Sequence, residues 1–510
     1  MSRGRFIGGV ITSVAIVVAL VGCAGGATDD ADDSLDDKVL TIGTTSDVAS
    51  FDPAQVYYAN AHQYLLPAYD TLIRLDENNQ LVPMLAVEWG YLDEDKKEFE
   101  LTLRSDVTFS DGTPLTAEVA AASLQRFKEA NGPGASGLAT VESIEPVDDE
   151  KLRLTLSMPT PSLEYVLTQV AGMITNPAAA ADELASVPSG AGPYVLDEEA
   201  SRRGDVYVFV RNDDYYDSES FPYSEIDLRV VTDSTARLNA VKTGQIDVTY
   251  GIASQLSEAK ASGLNVVSAP GDWYGVFLSD RLGASTPALA DVRVRQAINY
   301  AIDGDALLET VGFGEGTPTT QIFAAGTPAY DDGLNDAYPF DPDKARDLLE
   351  EAGFEDGFVL RMPSLDSLLP EAYPIVQQQL ADVGITVEYD PVTASAGVTP
   401  FVSGEYSAYI FLWGASQNWI DATQLLSAAG PLNPFRVDDP KVSALMAEIA
   451  VAQGDEQEAL YRELSDYIVE QAWFAPWYAG NTLTFAGADV EVTPQPQAKL
   501  PPIYNYRPAD

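Results

Sequence analysis

The chain has 510 residues, 46% of them hydrophobic, enough to build more than one large core. Its 78 acidic residues against 29 basic ones leave a formal charge of -49, which repels phosphate backbones and argues against a nucleic-acid partner. A single cysteine, Cys23, and a single histidine, His62, exclude internal disulfides, cysteine-built metal centres and most imidazole-based catalysis.

Residues 1–22 read as an export signal. Arg3 and Arg5 make a positive start, and an apolar run follows from Phe6 to Val21. That run is too short and wrongly flanked for a spanning helix. It ends Leu20-Val21-Gly22-Cys23, which resembles a bacterial lipobox. The resemblance implies cleavage before Cys23 and a diacylglyceryl lipid on its thiol. Residues 23–37, rich in Ala, Gly and Asp, then form a flexible acidic tether that cannot bury enough to fold.

From Val39 the pattern becomes globular. "KVLTIGTT" reads as a first strand. Leu85 reads as the end of an apolar helix leading into a hairpin. Phe99, Leu101 and Leu103 alternate with polar residues, as a strand requires. Asp111-Gly112 marks a turn, and "AEVAAASLQRFKEA" is helical with Thr116 as its N-cap. "KLRLTLSM" and "DVYVFVRN" are further strands. Gly312–Gly316 is glycine-rich but lacks a strand–GxGxxG–helix setting, so it reads as a loop. Later, helices and strands alternate. "FDPDKARDLLEEAGF" is a helix capped by Asp341, with Pro342 in its first turn and Gly353 at its end. "FVLRMP" is a strand, and "YPIVQQQLADVGITVEYD" is a helix, a stop near Gly384, and a strand. This alternation places the chain in the α/β class.

Four stretches in order carry a resemblance to a known family: Leu85–Val119, "GAGPYVL" from Gly190 with "RNDDYY" from Arg211, "ARLNAVKTGQIDVTYG" from Ala236, and "DVRVRQAINYAIDGDALLETVGFGEGTPTT" from Asp291. Together they resemble the family 5 solute-binding proteins of ABC importers, which take oligopeptides, dipeptides, nickel chelates and related solutes. The resemblance implies a two-lobed, periplasmic-binding-protein-like clamp with an extra inserted lobe and ligand held between the lobes. Carried onto this chain, lobe I takes 38–69, 188–270 and 480–510, the inserted lobe 70–187, and lobe II 271–479. The crossing strands fall near "GDWYGVFLS" and "WFAPWYAG".

The stretch "FLWGASQNWIDATQLL" bears on the ligand. Trp413 and Trp419 read as loop aromatics that can wall a bound solute. Peptide binders of the family carry an aspartate at the third position after this Trp, paired with the peptide α-amino group. Here that position is Ser416, and Asp421 lies five residues further on. Trp273 and Tyr274 on the expected crossing strand are further candidates, with His62 and Tyr57 behind them. The resemblance implies a non-enzymatic, lipid-anchored monomer outside the cytoplasm. It captures a small solute, with a peptide as first choice, and delivers it to an ABC permease and its ATPase, with no cofactor and no metal. Three alternatives remain open at this stage: an anchored secreted hydrolase, the same clamp holding an oligosaccharide or a metal chelate, and a sensor or chaperone use of the clamp without transport.

Overall fold

The structure is a computed structural model that describes residues 38–365, 368–414 and 417–509. Cys23, the export segment, the tether and Ser416 lie outside the described residues.

The first strand, β1 (Val39–Thr44), forms as its alternation predicts. An antiparallel sheet follows, built from β2 (Ala86–Tyr91), β3 (Glu98–Leu103), then, after helix α1 (Ala117–Glu129), β4 (Val141–Pro146) and β5 (Lys151–Leu156). Its order is β2-β3-β5-β4, and α1 packs on β4 and β5. Leu101, Leu152 and Leu154 are fully buried, because period-2 alternation turns every second residue to the same face. Thr116 caps α1 by accepting the Val119 N–H at 3.3 Å, and Gly112 supplies the turn at φ +83°. The helix end expected at Leu85 is instead the approach to β2. There Trp89 pairs with Leu101 and Tyr91 with Phe99, the two rings of the latter pair 5.0 Å apart. Cross-strand pairing of large side chains outweighs the local apolar run.

The main sheet has nine strands among the described residues. Its elements are β1, β6 (Tyr194–Arg202), β7 (Val206–Arg211), β8 (Glu225–Val230), β9 (Val248–Gly251), β10 (Asn265–Leu278), β13 (Ala408–Trp413) and β14 (Phe474–Ala486), where β11 (Phe358–Ser364) and β12 (Ile385–Pro391) are a separate parallel pair. The order is β13-β10-β14-β9-β1-β8-β7-β6, and the short strand Gly316–Pro318 adds to β14. The remaining helices needed here are α2 (Pro342–Glu351), α3 (Ala372–Ala381), α4 (Asn418–Leu425), α5 (Pro440–Val451) and α6 (Gly454–Glu470). In α2 the Asp341 carboxylate accepts the Lys344 N–H at 2.9 Å, and Gly353 closes the end at φ +82°.

Two long strands carry the sheet from one set of cores to another. The first half of β10, Asn265–Pro270, pairs with Asn481–Ala486 of β14, beside a core of Leu238, Leu483 and Phe485. The second half, from Trp273, pairs with Phe474–Ala479 on one side and with β13 on the other. Here both faces are covered. Val276 and Leu278 enter one core, while Trp273 and Phe277 enter another with Tyr409 and Phe474. The register shifts between the halves: Gly271 and Asp272 on β10 face the single residue Gly480 on β14. A bulge of this kind twists the strand and re-aims its side chains. A third large core runs through residues 40–228 and returns at 486–506, joining the four-stranded sheet to β1 and β7.

Candidate functional site

A cleft of about 1080 Å³ opens beside the bulge. One wall comes from the large first core: Tyr58, His62, the turn Asn78–Leu81, and Glu164 with Tyr165. The opposite wall comes from the second half of the chain: the loop 325–330, Gly414, Gln417, Asn418 and the start of α6 around Tyr461. Asp272 and Thr482 from the two long strands, and the segment 495–499, form the floor. The mixture of aromatic faces and a few convergent polar groups suits an organic solute.

Local sequence explains much of this wall. Gln417 caps α4 by accepting the Ile420 N–H at 3.0 Å. Asn418 braces the facing loop, accepting the Ala329 N–H at 3.1 Å and donating to the Thr327 hydroxyl at 2.9 Å. His62 is buried at 5% exposure and lies parallel to the Tyr58 ring at 5.1 Å. Its Nε2 is 3.0 Å from the Leu500 carbonyl and its Nδ1 3.2 Å from the Tyr58 carbonyl. The single histidine therefore ties an early helix to the chain's last segment while lining the cleft.

The residues singled out in the sequence divide sharply. Trp413 ends strand β13 and Trp419 belongs to α4, so neither is a loop aromatic. Both are half-buried against the core of Trp273 and Phe277, and neither is among the residues lining the cleft. The Trp413 indole N–H donates to Asp421 Oδ1 at 3.0 Å. Asp421 is fully buried, so its carboxylate is engaged inside the protein and does not face the cleft. Trp273 is 2% exposed and stacks on Phe277 at 4.8 Å, because strand alternation turns it inward. Tyr274 stacks on Tyr478 at 5.0 Å on the opposite face. Tyr57 is exposed outside the lining, whereas its neighbour Tyr58 lines it. The stretch around Trp413 does reach the cleft, but through Gly414, Gln417 and Asn418.

Asp272 escaped sequence reasoning. Glycine inside a strand pattern signals a bulge, and Gly271 beside it was the available sign. Its carboxyl is raised by burial and pulled back by the charge of Lys499. Glu164 is also raised by burial, against a hydrogen bond from Trp89 and the charge of Lys96. Glu458 is spent on Arg462 at 3.3 Å. Among the described residues no group of three or more His, Cys, Asp or Glu is placed to hold a metal ion.

A large cleft between separately cored halves, with two strands running between them, defines a binding protein of the clamp type. The chain belongs to the bacterial extracellular solute-binding proteins, family 5, whose middle region matches residues 80–431. It is similar to the glutathione-binding protein GsiB of Salmonella typhi, 27% identical over 490 residues that cover 90% of this chain and 91% of that one. It is also similar to the nickel-binding periplasmic protein of Escherichia coli, 26% identical over 451 residues covering 80% and 83%. In fold it matches DppA of Helicobacter pylori, solved with the peptide STSA, at TM-score 0.75 and 21% identity over 92% of this chain and 98% of that one.

Proposed function

We propose that this protein is the capture component of an ABC importer, lipid-anchored through Cys23, working as a monomer and handing a peptide to a membrane permease and its ATPase. The observation that carries this reading is the cleft itself. It is roomy, lined by tyrosines and amides, and open between halves that have their own cores. A pocket at or above roughly 1,000 Å³ exceeds what most drug-sized ligands need and suits an extended solute. The names of relatives point to glutathione, a tripeptide, and to nickel. The peptide is favoured here because side-chain amides of Asn78, Gln80, Gln417 and Gln497 line the cleft and can meet a peptide backbone.

In this reading lobe I (38–69, 188–270, 480–510) with the inserted lobe (70–187) closes against lobe II (271–479), and the bulge at Gly271–Asp272 takes up the rotation. A ligand with higher affinity for the closed form draws the equilibrium toward it. The test is native mass spectrometry of protein purified gently from its own host. A co-purifying peptide released unchanged on denaturation supports the reading. Catalytic conversion of an added peptide would instead favour the anchored hydrolase.

A further inference from the structure

We propose that Asp272 is the anchor for a primary ammonium group of the solute, in a peptide its free N-terminus. The inference rests on the cleft being the solute site and deepens that reading. Three observations carry it.

First, Asp272 lines the cleft from the bulge where β10 and β14 pass between cores, so the strand irregularity itself aims its side chain. Second, the opposite wall makes room for it. A side chain built on Gly414 would place its Cβ 2.9 Å from Asp272 Oδ1, so only glycine leaves the carboxylate its position. Third, Asp272 has no hydrogen-bond or ion-pair partner among the described residues, and Lys499 acts on it only through its field. The other carboxylates near the cleft are already engaged: Asp421 by Trp413, Glu458 by Arg462, Glu164 by Trp89. A half-buried carboxylate that faces the cleft and has no protein donor is well placed to take a ligand cation that brings both charge and N–H donors. Tyr250 and Tyr274 lie within reach of its charge and keep their hydroxyls protonated beside it, so they add no second negative charge.

The experiment titrates alanine peptides of two to five residues, free and Nα-acetylated, into wild type, D272N, D272E and G414A, read by calorimetry. Thermal melts of each variant without peptide confirm folding. Wild type is expected to prefer the free peptides by about tenfold or more, the range set by a hydrogen bond to a charged group. D272N and G414A should lose that preference by weakening the free peptides alone, while D272E retains most of it. If folded D272N binds free peptides as tightly as wild type, the inference is overturned and the importer reading stands. If wild type binds neither peptide set, the peptide reading falls, and Asp272 as a peptide anchor falls with it.

Discussion

The Lys96 ammonium donates to the carbonyl of Ala452 at 2.7 Å, joining the β2–β3 hairpin to the C-terminal cap of α5. Lys96 is 6% exposed and sits at φ +50°, a conformation that costs a non-glycine residue energy and so needs its surroundings to hold it. The charge faces the negative end of the helix, and Gln457 donates to the same carbonyl at 3.1 Å. This contact pins the hairpin of the four-stranded sheet to the half of the molecule across the cleft.

Replacing Lys96 with Met keeps the aliphatic stem and removes the charged donor. The expected loss is about 1.5–3 kcal/mol, the range for a hydrogen bond from a charged group. Part of it should appear as a lower urea midpoint. The rest should appear as a larger radius of gyration by X-ray scattering, as the open population grows. An unchanged midpoint together with an unchanged radius would show that the contact holds nothing.

The Trp413–Asp421 pair allows a second test. Asp421→Ala leaves a half-buried indole N–H without this acceptor and opens a small void. The expected cost is about 2–4 kcal/mol, combining the unpaired donor with lost packing. Asp421→Asn keeps an acceptor oxygen and should cost less. Neither change should alter the discrimination between free and acetylated peptides. If Asp421→Asn abolished that discrimination in a folded protein, the ammonium would belong to Asp421 rather than to Asp272.

Much of the framework was legible in the residues. The Asp341 and Thr116 caps, the glycine stops at Gly353 and Gly384, and the period-2 strands all rest on interactions within a few residues. The two crossing strands were locatable through the family resemblance, which carried their positions onto "GDWYGVFLS" and "WFAPWYAG", and both stretches fall on the long strands β10 and β14. The site was less legible, because its decisive partners are far apart in sequence. Trp413 and Trp419 read as loop aromatics and Asp421 as a stand-in for the missing aspartate, yet Trp413 ends a strand, and α4, beginning at Asn418, turns Asp421 inward toward the indole. Asp272 becomes meaningful only once Gly414, 142 residues away, leaves it space, and spacing along the chain carries no sign of that.

Anchoring through Cys23 is tested by fractionation. One diacylglyceryl unit supplies two acyl chains, and each buried methylene contributes about 0.8 kcal/mol, so the anchor should hold without a second signal. Cys23→Ala is expected to release the protein into the soluble fraction or to leave the uncut precursor in the membrane. A variant that is cut normally and still sediments with membranes rules the anchor out.

The last expectation concerns pH and the buried Asp70. This carboxyl is fully buried, and Tyr215 and Tyr216 each donate a hydroxyl to its Oδ2 at 2.9 Å, while Oδ1 is buried without a partner. Burial pushes it up to about 7, against the two tyrosine hydrogen bonds and the fields of Arg74 and Arg104. In the unfolded chain it returns to roughly 3.9. Below about pH 4 both states hold the proton, and the contribution of Asp70 to stability is fully present. Between about pH 4 and pH 7 only the folded state holds it, so that contribution falls as pH rises, and above about pH 7 the loss is complete. Three pKa units correspond to a fall on the order of 4 kcal/mol. Asn at this position carries no proton to lose, so the stability of D70N relative to wild type should rise across the same window. Urea midpoints of both proteins at pH 4.5 and pH 7.5 read this directly. A difference between the two proteins that stays constant across that interval would mean Asp70 is ionised throughout, held so by Tyr215, Tyr216 and the two arginines.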